Sequence, residues 1–209
     1  MDSSLRETLR QELEELGQDT EDSETWYELG GKLYDEGDLK RAEVAFQTAL
    51  DLNPGSVEAW RDLGAVLFVQ NRFGEAEEAL KGALEHNSEE SDVWYNLGCV
   101  YNATDRLDDA EMAFRRASEL NPEDADTWCN LGVVLSQLGD DDGAERALKN
   151  AIEIRPEHYV GWLNLMSYYS DQGRSKEAEE THQQALEHIP DFDHFLEELA
   201  DFVERVKEE

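Results

Sequence analysis

Lysine is scarce in this 209-residue chain. Six lysines and twelve arginines face 51 aspartates and glutamates, leaving a formal net charge of −33. So little positive charge argues against a nucleic-acid binder, which needs cations to displace phosphate counterions. It argues equally against a membrane-surface protein, because cytoplasmic leaflets are themselves negative. Cysteine is almost missing. Cys99 and Cys129 are too few for a disulfide scaffold and suit a reducing compartment. Long apolar runs are missing too: the longest is Ala65-Val66-Leu67-Phe68-Val69, far short of a membrane span. The N-terminus lacks the basic start and apolar stretch of a secretory signal. A soluble cytoplasmic protein is the expectation. There is no zinc-protease helix, phosphate loop, EF-hand spacing, or nucleophile beside a base. Neither catalysis nor a cofactor nor a metal is therefore expected. Asp140-Asp141-Asp142-Gly143 has the look of a calcium-loop fragment, but the later ligands are absent, and it reads as a solvated turn.

Aromatic residues are present in quantity: five Trp, seven Tyr and seven Phe, with 39% apolar residues overall. That is too much apolar mass for a disordered acidic chain. Abundant carboxylates with few lysines resemble the surface of a protein from a salt-accumulating cell, such as a halophilic archaeon. At molar salt the Debye length is about 3 Å and the self-repulsion of such a surface is mostly cancelled.

The five tryptophans, Trp26, Trp60, Trp94, Trp128 and Trp162, are spaced 34 residues apart. The rest of the pattern moves with them. Leu29, Leu63, Leu97, Leu131 and Leu165 follow three residues later, and Gly30, Gly64, Gly98 and Gly132 come next, with Met166 in the fifth place. Ala42, Ala76, Ala110, Ala144 and Ala178 recur, and so do Ala49, Ala83, Ala117, Ala151 and Ala185. Pro54, Pro122, Pro156 and Pro190 close four repeats, with Ser88 in the proline place of the second. Within a repeat, Trp94, Leu97, Gly98 and Tyr101 share one helical face, and Ala110, Phe114 and Ala117 share another. Gly37, Asn71, Asp105, Gly139 and Gly173 fall at one place between the two helices. They are residue types that tolerate a left-handed cap.

This pattern resembles the tetratricopeptide repeat, in repeats 23–56, 57–90, 91–124, 125–158 and 159–192. The resemblance implies an all-α solenoid, a right-handed superhelix of five antiparallel helix pairs. Residues 1–22 read as an N-terminal helix, capped at Ser3 or Ser4, with Leu5, Leu9, Leu13 and Leu16 on one stripe and an acidic linker behind. Residues 193–209 read as a capping helix. Phe195, Leu196, Leu199, Val203 and Val206 turn inward, opposite Glu197, Glu198, Asp201, Glu204 and Glu208. About twelve helices are expected.

Repeats and caps use the whole chain, so function belongs on the solenoid surface, chiefly the concave side of the first helices. At 100° per residue, places 2, 5, 6, 9, 12 and 13 of each repeat face that side. They bring up Tyr27, Glu28 and Tyr34; Arg61, Asp62 and Phe68; Tyr95, Asn96, Cys99 and Asn102; Cys129, Asn130, Val133 and Gln137; and Leu163, Asn164 and Ser167. Only Arg61 is basic on this face. Some tetratricopeptide domains grip an acidic chaperone tail with Lys, Arg and Asn; here Tyr27 stands where a Lys would, and that role is not expected. Asn96, Asn130 and Asn164 recur once per repeat. Each amide offers a donor and an acceptor, similar to the asparagine ladder of the O-GlcNAc transferase superhelix, and such a row suits the backbone of an extended peptide. The alternative is bonding within the repeat stack. Cys99 and Cys129 are a weak metal or redox signal and read as packing residues. His182 reads as a core or edge histidine, and His188 and His194 as solvated.

These residues suggest an adaptor that holds a neutral to basic, extended protein segment in its groove as a monomer. The neutral part would lie on repeats three to five, and any basic part would meet Glu28 and Asp62. The alternatives are a self-associating structural protein or an accessory subunit of a separately encoded enzyme.

Overall fold

The computed structural model describes the backbone of residues 2–208 and the side chains of residues 2–200. Among the described residues there are twelve helices and no strand. The chain divides into two compact units, Met1–Leu120 and Asn121–Glu209.

The first unit contains α1 (Ser3–Glu15), α2 (Ser23–Asp35), α3 (Leu39–Leu52), α4 (Val57–Val69), α5 (Phe73–His86), α6 (Ser91–Ala103) and α7 (Leu107–Leu120). The second contains α8 (Ala125–Leu138), α9 (Asp141–Ile154), α10 (Tyr159–Asp171), α11 (Ser175–His188) and α12 (Phe192–Glu208). From α2 to α11 the helices pair as antiparallel hairpins, the helix pairs of an α-solenoid.

A glycine on the first helix lets the second come close. A Cβ on Gly30 would stand 2.6 Å from the Phe46 ring, and one on Gly98 would stand 2.6 Å from Phe114. Leu80 and Leu148 crowd Gly64 and Gly132 in the same way. Phe46, Leu80, Phe114 and Leu148 are all buried, each contributing about 1.5–3 kcal/mol. In the fifth pair Met166 takes the glycine place. The opposing place is filled by His182, which is half-buried and bonds Asp193 at 2.6 Å, so it is an edge histidine as expected.

The five residues expected to cap the first helices all have left-handed backbones: Gly37, Asn71, Asp105, Gly139 and Gly173, with φ from +59° to +81°. The proline places have a second role. The Trp26 indole N–H donates to the Thr20 carbonyl, Trp60 to Pro54, Trp94 to Ser88, Trp128 to Pro122 and Trp162 to Pro156, at 2.7–2.9 Å. Each indole thus ties down the turn that precedes its own helix.

Two details at the ends differ from expectation. The cap of α1 is Asp2, whose carboxylate accepts from the Leu5 N–H, and not Ser3 or Ser4. A carboxylate is as good a cap as a hydroxyl, and Asp2 stands one residue earlier. Leu16 is 73% exposed: α1 ends at Glu15 and the chain turns at Gly17 (φ +72°), so Leu16 leaves the stripe of Leu9 and Leu13. His188 is exposed, as expected, and its ring stacks on Trp162 at 5.7 Å. In α12, Phe192 is fully buried and Phe195 stands edge-on to Tyr159 at 4.7 Å. The side chains of Asp201, Val203, Glu204, Val206 and Glu208 lie outside the described residues.

The second helices are joined across repeats by arginines. Arg72, Arg106 and Arg174 stand just before α5, α7 and α11. Each reaches 29 residues back, to Glu43 (2.6 Å), Glu77 (2.8 Å) and Glu145 (2.5 Å). Each also holds a carboxylate three residues ahead: Glu75, Asp109 or Glu177. Tyr101 and Tyr169 lie under the guanidinium groups of Arg106 and Arg174 at 4.3 and 4.5 Å. Among the described side chains, every lysine and arginine except Lys32 and Arg146 is ion-paired.

Candidate functional site

In the first unit the inner sides of α2, α4 and α6 carry a bonded polar chain. The Tyr27 hydroxyl donates to Asp62 at 2.9 Å. Arg61 donates to Asp62 at 2.7 Å and reaches Asp92 at 3.8 Å. The one basic residue expected on this face is therefore already neutralised. Burial, then the Asp62 charge and hydrogen bond, push the Tyr27 phenol up to about 12, so it stays a donor at any working pH. Glu28 is exposed. The Tyr27 ring rests 5.8 Å from Phe46 and Tyr95 5.9 Å from Phe114, so each has one side committed to its own hairpin. Phe68 is half-buried against Phe73, whereas Tyr34 is exposed. Asn96, Cys99 and Asn102 are half-buried on the same side of α6.

In the second unit α8 and α10 enclose a hollow of about 230 Å³. Val133, Ser136 and Gln137 line it from one helix, and Asn164, Ser167 and Asp171 from the other. Four of these, Val133, Gln137, Asn164 and Ser167, are among the residues singled out from the sequence. Asn130 and Leu163 are half-buried on the same helices but do not line the hollow.

Cys129 does not belong to this surface. It is buried at 2% exposure, because the start of α10 covers it. A Cβ on Gly161 would lie 3.4 Å from its sulfur, and His158 Nδ1 is 3.7 Å away. His158 Nε2 in turn meets Asp126 at 3.1 Å, and Asp126 is held by Arg155 at 2.5 Å. The sequence reading missed this Cys–His–Asp line. The offset of 29 residues between Cys129 and His158, shared with the arginine clamps and with Arg155 and Asp126, was the signal available. It is not an activated nucleophile: burial, reinforced by Asp126, pushes the thiol up to about 12, and a reactive cysteine needs an accessible thiolate. Burial likewise lowers His158, outweighing the pull of Asp126. Cys99 is also free, and burial raises its thiol to about 11. Among the described residues no cluster of three His, Cys, Asp or Glu side chains could hold a metal ion. No described helix is long and apolar enough to cross a membrane.

The tetratricopeptide family model described as Cilia and flagella-associated protein 70 C-terminal domain matches residues 17–151. The chain belongs to this tetratricopeptide family. Solved structures agree. MamA superposes with a TM-score of 0.71 at 26% identity, over 83% of this chain and 94% of its own. YrrB, described as a TPR protein with an unusual peptide-binding site, gives 0.67 at 26% identity, over 87% and 92%. PilF of Pseudomonas aeruginosa gives 0.72 at 21% identity, over 79% and 76%, a likeness of fold alone. No curated protein matches. Tetratricopeptide proteins act as interaction scaffolds, and the fold places this chain among them.

Proposed function

We propose that the protein is a non-catalytic adaptor. It binds an extended, neutral to basic stretch of a partner protein on the inner side of its first helices. Five repeats spanning 23–192 do the binding, with the helices of 1–22 and 193–209 closing the ends. It works as a cytoplasmic monomer in a salt-accumulating cell.

The observation that carries this reading is Asn164. It is half-buried at the hollow between α8 and α10, and its amide has no hydrogen-bond partner among the described residues. Its neighbours Ser136, Gln137 and Ser167 are uncharged donors and acceptors. A half-buried amide beside such groups suits the N–H and C=O of an extended backbone. Asn96 in the first unit is half-buried and unpartnered in the same way. The likeness to YrrB, whose description names a peptide-binding site, supports the same reading. The basic residues of the ligand would face Glu28 and Asp62.

The test is selection from a random peptide library at molar salt, followed by calorimetry with variants. Asn164→Ala should weaken a selected peptide about tenfold, the scale of one or two lost hydrogen bonds. A peptide bound by Asn164→Ala and by Gln137→Ala as tightly as by the parent protein would put the binding surface elsewhere.

A further inference from the structure

In the second unit a cleft of about 550 Å³ lies between α9 and α11, two second helices. It shares no lining residue with the hollow beside Asn164. The fifth helix pair accounts for it. Met166 fills the glycine place, His182 fills the opposing place, and α11 packs more loosely on α10 than the earlier second helices pack on their first helices. Only Thr181 and Ala185 of α11 are buried. The floor of the cleft is apolar: Ile152, Trp162 and Leu165 lie beneath it, all buried. The two lining cations are already taken. Arg174 holds Glu145 at 2.5 Å and Glu177 at 3.0 Å, and Lys149 holds Glu145 at 2.7 Å. Two further carboxylates line the cleft and are exposed, Glu153 from α9 and Glu180 from α11. Glu153 has no ion pair among the described residues. Glu180 meets only Lys176, itself 86% exposed, at 3.2 Å, and so solvated a pair contributes little.

We propose that this cleft binds a small aliphatic amine, its hydrocarbon chain on the apolar floor and its ammonium group against Glu153 and Glu180. Size, floor and charge each select this class. The volume falls within the range of small-molecule sites, about 300–1,000 Å³. Buried apolar side chains beneath an open cleft favour a hydrocarbon body over a fully polar one. Both lining cations are spent on the cleft's own carboxylates, so nothing is left to hold an anion, whereas Glu153 and Glu180 can each accept from an ammonium group. The site lies between second helices, and it stands or falls independently of the adaptor reading.

The experiment titrates the full chain with hexylamine, hexanol, hexanoate and methylamine, and follows the five indole N–H signals by proton–nitrogen NMR. Trp162→Phe assigns the signal of the indole that lines the cleft. Hexylamine should move the Trp162 signal and leave the other four in place. It should bind at least about tenfold more tightly than hexanol or hexanoate, the scale of one charge-assisted hydrogen bond, and methylamine should leave the signal still. Glu153→Gln with Glu180→Gln should bring hexylamine down to the level of hexanol. Gln184→Phe, a change at an exposed residue of the cleft wall, should fill the cleft and abolish binding, with the four other indole signals reporting that the fold is kept. At molar salt the preference for the amine should shrink and remain, because an ammonium in contact with a carboxylate stands within the Debye length of about 3 Å. Hexanol binding as tightly as hexylamine would overturn the charge selection, and methylamine doing so would reduce the effect to attraction by surface carboxylates. A lysine blocked at both backbone ends that binds as tightly as hexylamine would overturn the free amine in favour of a protein's lysine. A Trp162 signal that no amine moves would overturn the site, and the Asn164 measurement would still decide the adaptor reading by itself.

Discussion

Gly30 and Gly31 are chain neighbours in α2 with opposite surroundings. A Cβ at Gly30 would strike the Phe46 ring at 2.6 Å, whereas one at Gly31 would meet nothing within 4 Å. Gly30→Ala should therefore destabilise the first unit by about 1–3 kcal/mol through overpacking. Gly31→Ala should stabilise it by about 0.5–1 kcal/mol, because alanine loses less backbone freedom in a helix. Denaturant melts of the two variants should move in opposite directions; shifts of the same sign would mean that the hairpin relaxes around Gly30. The 34-residue period picked out Gly30 as special, yet it could not say which atom it makes room for. Cys129 shows the limit of that reasoning. Its place on the helical wheel pointed to the groove. What buries it is the start of the following repeat, and a wheel drawn for one helix contains no information about its neighbour.

Helix pairs and their turns were legible because each depends on local chemistry. Left-handed caps need Gly, Asn or Asp, and those residues stood at one place in all five repeats. The cap of α1 was less legible, because Asp2, Ser3 and Ser4 are all competent and only the fold selects among them. Least legible were the arginine clamps, whose partners lie 29 residues away on the preceding second helix. Glu145 is the most strongly held of their carboxylates. Its pKa is lowered to about 2, first by the hydrogen bond from Arg174, with burial opposing and Lys149 and Tyr169 adding. A carboxylate depressed in the folded state stabilises fully above its ordinary range, near 4.5, and loses that contribution as pH falls through about 2. Glu145→Gln should cost about 1 kcal/mol at pH 7, a modest figure because the cluster is partly solvated. The gap to the parent protein should close between about pH 5 and pH 2. A gap that stays constant across urea melts in that range would remove the ionic role of Glu145.

For the whole molecule, the charge of −33 sets how stability responds to solvent. Nearly all the described cations are already paired, so the remaining carboxylates repel one another. Screening shortens from about 10 Å at 0.1 M salt to 3 Å at 1 M. The thermal midpoint should therefore rise by several degrees between about 0.1 M and 2 M potassium chloride. A midpoint that is flat or falls would contradict the reading of a surface built for salt. The site was legible only as a side of the solenoid: composition marked it as acidic, and the hollow beside Asn164 needed three dimensions. The indole bonds reach further than packing. Five tryptophans sit in one chemical setting, one per repeat, with Trp26 and Trp162 buried and the three between them partly exposed. Replacing four of them by phenylalanine in turn would leave a single fluorophore at a known turn. The emission of each such variant would then report when its own repeat lets go, making the chain its own instrument for the order in which a solenoid comes apart.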